Sequence, residues 1–126
     1  DMRAVLASAA SGDDRAELAI AMYCHRVRQA IGAFAVTLGG IDALIFTAGV
    51  GEHSAQIRRE ICSGLECLGL VLYSDRNLHS EADTDIAAVN SSARILVIQT
   101  REDLTMLHAT MRVVGESARA SEQSEM

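Results

Sequence analysis

The stretch that most constrains this chain is a nearly unbroken apolar run, Asp42-Ala43-Leu44-Ile45-Phe46-Thr47-Ala48, set between Gly39-Gly40 and Gly49-Val50-Gly51. A run without polar alternation predicts a short strand covered on both faces, which in turn calls for a parallel sheet flanked by helices. Upstream, Ile20, Tyr23, Val27, Ile31, Phe34 and Leu38 recur at steps of three and four. That spacing predicts one long amphipathic helix over residues 12–38, with Asp13 and Asp14 at its positive end and the paired glycines as its stop. Downstream, Ile57, Ile61, Leu65 and Leu68 predict a second helix, opened by Ser54 as N-cap and closed by Gly69.

Arg94-Ile95-Leu96-Val97-Ile98-Gln99 predicts a second strand, and Leu104, Leu107, Met111 and Val114 a third helix. Thr100-Arg101-Glu102-Asp103 fits a capping box at its start. Leu70-Val71-Leu72 is a candidate edge strand, residues 73–83 read as a polar surface loop, and the tail beyond Gly115 is expected to fray. Helix, strand, helix, strand, helix gives one parallel crossover and no internal repeat, so the expected fold class is α/β with a single core over residues 1–116 and a disordered tail over residues 117–126.

Composition narrows the function. All 11 basic residues are Arg and the formal net charge is -6, so nucleic acid is not an expected partner. Without Lys there is no P-loop lysine and no Schiff-base lysine, and phosphate contacts must come from Arg, backbone N–H groups or a metal. Aromatic residues make up only 3% of the chain, so Leu, Ile, Val, Ala and Met must build the core. Cys24, Cys62 and Cys67 are odd in number and lack metal-ligand spacing, which predicts packing roles and a reducing cytoplasm. No apolar run reaches the roughly 18 residues that a membrane span needs, and no signal peptide opens the chain. Asp1 in place of an initiating Met predicts that residues have been removed upstream.

Several residues could carry chemistry. Gly49 and Gly51, between a strand and a helix, would let backbone N–H groups approach an anionic ligand, although glycines at such a place also serve a simple tight turn. Glu52 and Glu102 each follow a predicted strand, at the edge where open α/β sheets place their ligands. A carboxylate there could share Mg²⁺ with a nucleotide's phosphates, and Glu102 could equally be a first-turn acid that complements the helix dipole. His53 could donate to a phosphate or a base; His25, His79 and His108 show no metal-ligand spacing.

The run Ile45-Phe46-Thr47-Ala48-Gly49-Val50-Gly51-Glu52-His53-Ser54 resembles the acetate kinase signature, normally a Phe-Thr-Gly-Gly-Ile-Gly-Glu-Asn run that closes a buried strand. Asp1-Met2-Arg3 resembles that family's Asp-x-Arg nucleotide segment, and Ile31-Gly32-Ala33-Phe34 its Ile-Gly-Ala-Tyr helix run. Ile98-Gln99-Thr100-Arg101-Glu102-Asp103-Leu104 is similar to its Ile-Pro-Thr-Asn-Glu-Glu-Leu segment. The resemblance implies part of a sugar kinase/actin/heat-shock-protein-like (ribonuclease H-like) domain, namely the C-terminal nucleotide-binding portion of an ATP-dependent acetate kinase. It further implies that Asp1, Arg3, Gly49, Val50, Gly51, Glu52 and His53 contact ATP or ADP, that Glu102 helps hold Mg²⁺, and that the enzyme is a homodimer.

The catalytic Arg, Asp and His and the carboxylate pocket would then lie upstream of Asp1, leaving acetate, propionate or butyrate as the acceptor. A non-catalytic remnant that binds nucleotide or dimerises is the alternative. Ala48 for Gly, His53 for Asn, Gln99 for Pro and Arg101 for Asn are departures from the family pattern that bear on the loop and on the metal ligand.

Overall fold

In the computed structural model, which describes the backbone of residues 1–124 and the side chains of residues 1–114, the two predicted strands pair as expected. Strand β1 (Ala43–Thr47) lies parallel to β3 (Arg94–Ile98), in register from Ala43 opposite Arg94 to Thr47 opposite Ile98. A two-residue strand, β2 (Thr84–Asp85), adds antiparallel on the far side of β3, for a sheet order of β1-β3-β2. The expected cover on both faces of β1 is not found. Phe46 is buried, but Ile45 on the opposite face is 55% exposed, because β1 is an edge strand and these residues lay their helices on one face only.

That face carries the core. Ile95, Val97 and Phe46 pack in one cluster with Ile20 and Cys24 of α2 (Asp14–Leu38) and with Ile57, Ile61 and Cys62 of α4 (Ala55–Cys62). Helix α2 begins where the acids predict: the Asp13 carboxylate accepts from the amides of Arg15 and Ala16. It ends at Gly39, whose φ of 76° is the left-handed conformation of a C-cap. Its buried residues are Ala16, Ile20, Cys24 and Ala35, whereas Phe34 and Leu38 are 66% and 76% exposed. Of the predicted stripe, Ile20 lies in the core and Val27 and Ile31 pack against it, while the small residues Ala16, Cys24 and Ala35 are buried on the same helix.

Helix α1 (Met2–Ala10) was not anticipated, although Met2, Val5, Leu6 and Ala9 keep helical spacing and all pack against the core. Helix α4 is shorter than predicted. It starts at Ser54, whose Oγ accepts from the Ile57 amide, but ends at Cys62, and the chain reaches Gly69 through a separate 3-10 turn, Glu66–Leu68. Arg28 on α2 donates from Nη1 to the carbonyls of Glu60 and Ser63, binding α2 to the last turn of α4. Leu70-Val71-Leu72 forms only an isolated bridge, Leu72 to Ala87, in place of the expected edge strand.

The supposed polar loop contains a helical turn, α5 (Ser74–Leu78), held by the fully buried side chain of Asn77. Helix α6 (Glu102–Ser124) continues past Gly115, where fraying was predicted, and residues 125 and 126 lie outside the described residues. Leu104, Leu107, Met111 and Val114, taken from their spacing as its packed stripe, are all exposed. Among the described residues no helix is long and apolar enough to cross a membrane.

Gly69 is the turn on which this arrangement closes: its φ is +78°, and a Cβ there would meet Ser92 Oγ at 2.0 Å. Gly69→Ala is therefore expected to cost about 1–2 kcal/mol. Gly32, inside α2 with nothing within 4 Å of its missing Cβ, should instead gain about 0.5–1 kcal/mol on conversion to Ala. Urea denaturation of the two variants checks both signs.

Candidate functional site

Both parallel strands end at the same edge of the sheet, and the chain turns sharply there. Thr47 leaves β1 extended, and the short segment that follows, α3 (Ala48–His53), is kinked at its start, where Ala48 takes a φ of 55° and Gly49 a non-helical φ of 28° with ψ of -111°. The conformational demand thus falls on positions 48 and 49. Gly51 has no such φ; its missing Cβ would lie 3.5 Å from the Phe46 carbonyl carbon, in ordinary contact. Ala48, where the family signature has glycine, therefore holds a left-handed conformation that a Cβ disfavours by about 1–2 kcal/mol.

Glu52 offsets that strain. Its Oε1 accepts from the Ala48 amide at 2.6 Å, from the Thr100 amide at 2.7 Å and from Thr100 Oγ1 at 2.7 Å. Thr47 Oγ1 and Thr100 Oγ1 are themselves 3.1 Å apart. One carboxylate therefore fastens the segment after β1 to the segment after β3, and Thr100 is turned to this clasp rather than to the first turn of α6 as a capping box requires. The Thr100 hydroxyl, and then the Thr100 and Ala48 amides, hold the Glu52 carboxyl below its usual range. Although predicted as a ligand contact, Glu52 spends this oxygen on the loop itself.

Asp1, Arg3, Gly49, Val50 and His53 line a cavity of about 500 Å³ between α1 and the turn. They are five of the seven residues expected to touch nucleotide, drawn from segments almost fifty residues apart; Met2 and Leu6 give the cavity an apolar wall. Asp1 caps α1 by accepting from the Arg3 amide at 3.0 Å, and its other oxygen accepts from Arg3 Nε and Nη2 at 3.2 and 3.0 Å. This pair is exposed, so it holds Arg3 at the rim without a large energetic commitment. A larger groove of about 590 Å³ between the end of α2 and β1 is lined mainly by Ile31, Phe34, Leu38 and Leu44, with Asp42 its one charged side chain. It lacks the converging polar groups that would orient a phosphorylated ligand.

Glu102 opens α6 and is exposed beyond the end of β3. Arg101, which could have competed for its charge, is instead paired with Asp83, and Asp83 also accepts from the Gln99 amide. Among the described residues no group of three or more His, Cys, Asp or Glu side chains is placed to hold a metal ion. A lone exposed carboxylate such as Glu102 can share a divalent cation only with ligands from outside this segment, phosphates and water among them. Cys24 and Cys62 are buried, and burial pushes the Cys62 thiol up to about 12, in keeping with packing roles, whereas Cys67, on the 3-10 turn, is exposed and does not pack as expected.

Sequence reasoning missed Arg58 and Asn77, both 2% exposed. The signal was available for Arg58, which stands three and four residues before Ile61 and Cys62 and so on the buried side of α4. Asn77 lay in a stretch without periodicity and gave none.

Since Glu52 has a lowered folded-state pKa, its stabilising contribution is present above the unfolded carboxylate value and disappears as pH falls through the folded one. Glu52→Gln should accordingly lower the urea midpoint at pH 7, and the gap to wild type should narrow as pH falls below the unfolded carboxylate value of about 4.3. A gap that stays constant from pH 7 to pH 3 would remove the clasp from the account.

The acetokinase family model matches residues 1–108. The chain is 52% identical over 103 residues to an acetate kinase of Nostoc punctiforme, covering 82% of this chain and 25% of that protein. It is 43% identical over 114 residues to an acetate kinase of Treponema denticola, covering 90% and 29%. Among solved structures, the acetate kinase of Porphyromonas gingivalis superposes with a TM-score of 0.81 at 32% identity, over 90% of this chain and 29% of that one. A propionate kinase of Francisella tularensis gives 0.74 at 41% identity, over 82% and 26%. The chain thus spans roughly a quarter of the length of these relatives and carries part of their sugar kinase/actin/heat-shock-protein-like fold. By the family match and the shared fold together, it belongs to the acetokinase family.

Proposed function

We propose that this chain is the C-terminal, nucleotide-binding portion of a cytoplasmic, homodimeric kinase that transfers a phosphoryl group reversibly between ATP and acetate. The observation that carries the reading is the convergence of Asp1, Arg3, Gly49, Val50 and His53 on one cavity beside the strained turn at Ala48-Gly49. In this reading Arg3 and His53 donate to the nucleotide, Asp1 orients Arg3, and the backbone at positions 49 and 50 comes close to the ligand because Gly49 adds no side chain. Gly51 and Glu52 shape the turn. Glu102 contributes the segment's carboxylate to Mg²⁺, which when bound neutralises charge on the transferring phosphoryl group.

The acyl pocket and the groups that stabilise the transferring phosphoryl would come from the rest of the enzyme, because phosphoryl transfer depends on positioning and charge around an in-line transition state. The similarity to a propionate kinase as well as to acetate kinases supports a short-chain carboxylate as the acceptor class, with acetate first and propionate second.

Two outcomes test the reading. The 126-residue chain, freed of host kinases, should bind Mg-ADP yet form no acetyl phosphate from ATP and acetate; turnover would refute the split of roles. In a complete enzyme carrying this segment, Glu102→Gln should reduce turnover at least about 100-fold, with partial rescue by raised magnesium. A mere first-turn acid would cost only about 0.3–1 kcal/mol of helix stability and leave turnover intact.

A further inference from the structure

Arg58, the fourth residue of α4, is a buried cation whose five N–H donors all find acceptors inside the chain. Nε donates to Asn77 Oδ1 at 2.8 Å, and Nη2 to the Asn77 carbonyl at 2.9 Å and Ser80 Oγ at 2.7 Å. Nη1 donates to the carbonyls of Gly51 and Glu52 at 2.9 and 2.6 Å. All five acceptors are neutral oxygens. Burying a guanidinium without a carboxylate is an expensive way to gain stability, since well-packed apolar side chains usually serve as well or better. What it does achieve is geometric. Because peptide units are planar, holding the Gly51 and Glu52 carbonyls fixes the directions of the Glu52 and His53 amides as well.

The other half of the guanidinium is anchored to α5, and Asn77 is tied back to α4 through its Nδ2 donating to the Ala55 carbonyl at 2.8 Å. The turn is therefore held at both ends: Glu52 clasps its beginning at Ala48 to the end of β3, and Arg58 pins its last carbonyls to α5. We infer that Arg58, braced by Asn77, is a positioning residue for the nucleotide loop, setting the backbone of residues 51–53 in its binding conformation without touching the ligand. The inference rests on the nucleotide reading for its consequence, but the brace itself is a property of the free chain.

Arg28 supplies the control, as it also donates from a guanidinium to carbonyls at the end of α4, those of Glu60 and Ser63, neither of which lines the cavity. The experiment compares Arg58→Met, Arg58→Lys and Arg28→Met in the 126-residue chain, measuring Mg-ADP affinity by calorimetry and amide hydrogen exchange at temperatures where each variant is folded. Arg58→Met should speed exchange across residues 48–54 at least about tenfold relative to Ile95 and Val97. It should also weaken Mg-ADP binding at least about tenfold, with Arg58→Lys intermediate in both readouts. Arg28→Met should lower the melting temperature yet leave affinity within about twofold.

Exchange at residues 48–54 that stays at the wild-type rate in Arg58→Met, or an equal loss of affinity in Arg28→Met, would overturn the inference. Should Arg58→Met not fold, Arg58→Lys decides alone, and wild-type exchange and affinity in it would overturn the proposal. If the wild-type chain takes up no Mg-ADP, the nucleotide reading fails, and the exchange data still decide whether Arg58 braces the loop.

Discussion

Because β1 and β3 run parallel and in register from Ala43 and Arg94 to Thr47 and Ile98, both strands deliver their chain ends to one edge of the sheet. Everything proposed as functional depends on that pairing. It places the turn after Thr47 next to the segment after Ile98, and a single carboxylate, Glu52, spans the gap by accepting from Ala48 on one side and Thr100 on the other. An antiparallel pairing would have sent the two ends to opposite edges and left Glu52 and Thr100 a strand length apart. The helix on which Arg58 stands begins directly after the same turn, so the topology that makes the clasp also makes the brace.

The core explains why the turn can be strained. Ile57, Ile61 and Cys62 of α4 pack against Phe46, Ile95 and Val97, so the elements on either side of the turn are held by apolar burial before the turn makes any contact of its own. A left-handed Ala48 persists when its surroundings over-determine it, and here the Glu52 acceptor and two buried elements do so. At the end of α2, Phe34 and Leu38 stay exposed beside the open edge of the sheet, lining one groove with Ala43 and Leu44 of β1. That apolar surface is compatible with a segment that covers only about a quarter of its relatives' length.

Much of this was legible in residue order. The boundaries of α2 followed from Asp13 and Gly39, the start of α4 from Ser54, and the parallel setting of the two strands from uninterrupted apolar runs. The candidate site was legible through short motifs, and the structure gathers Asp1, Arg3, Gly49, Val50 and His53 around one cavity. What failed was the C-terminal end of the α2 stripe, where Phe34 and Leu38 are exposed, and the buried Ala16, Cys24 and Ala35, which apolar spacing passed over. The reading of residues 73–83 as a plain loop failed too, because Asn77 is buried by a guanidinium from another helix.

By itself, then, the sequence determined those properties that depend on neighbours along the chain: where α2 starts and stops, where α4 starts, and which two apolar runs become the parallel strands. Capping and backbone preference act over a few residues, so they survive without knowledge of the fold. Only the tertiary structure decided what the polar residues at the turn are for. Glu52 reads as a ligand carboxylate until Thr100, 48 positions away, supplies two donors to it. Arg58 finds its partners in Asn77 of α5 and in Ser80 just beyond it, which satisfy it in the interior. Hydrogen-bond partners of buried polar groups are set by which elements meet in space, and no local pattern in the chain encodes that meeting.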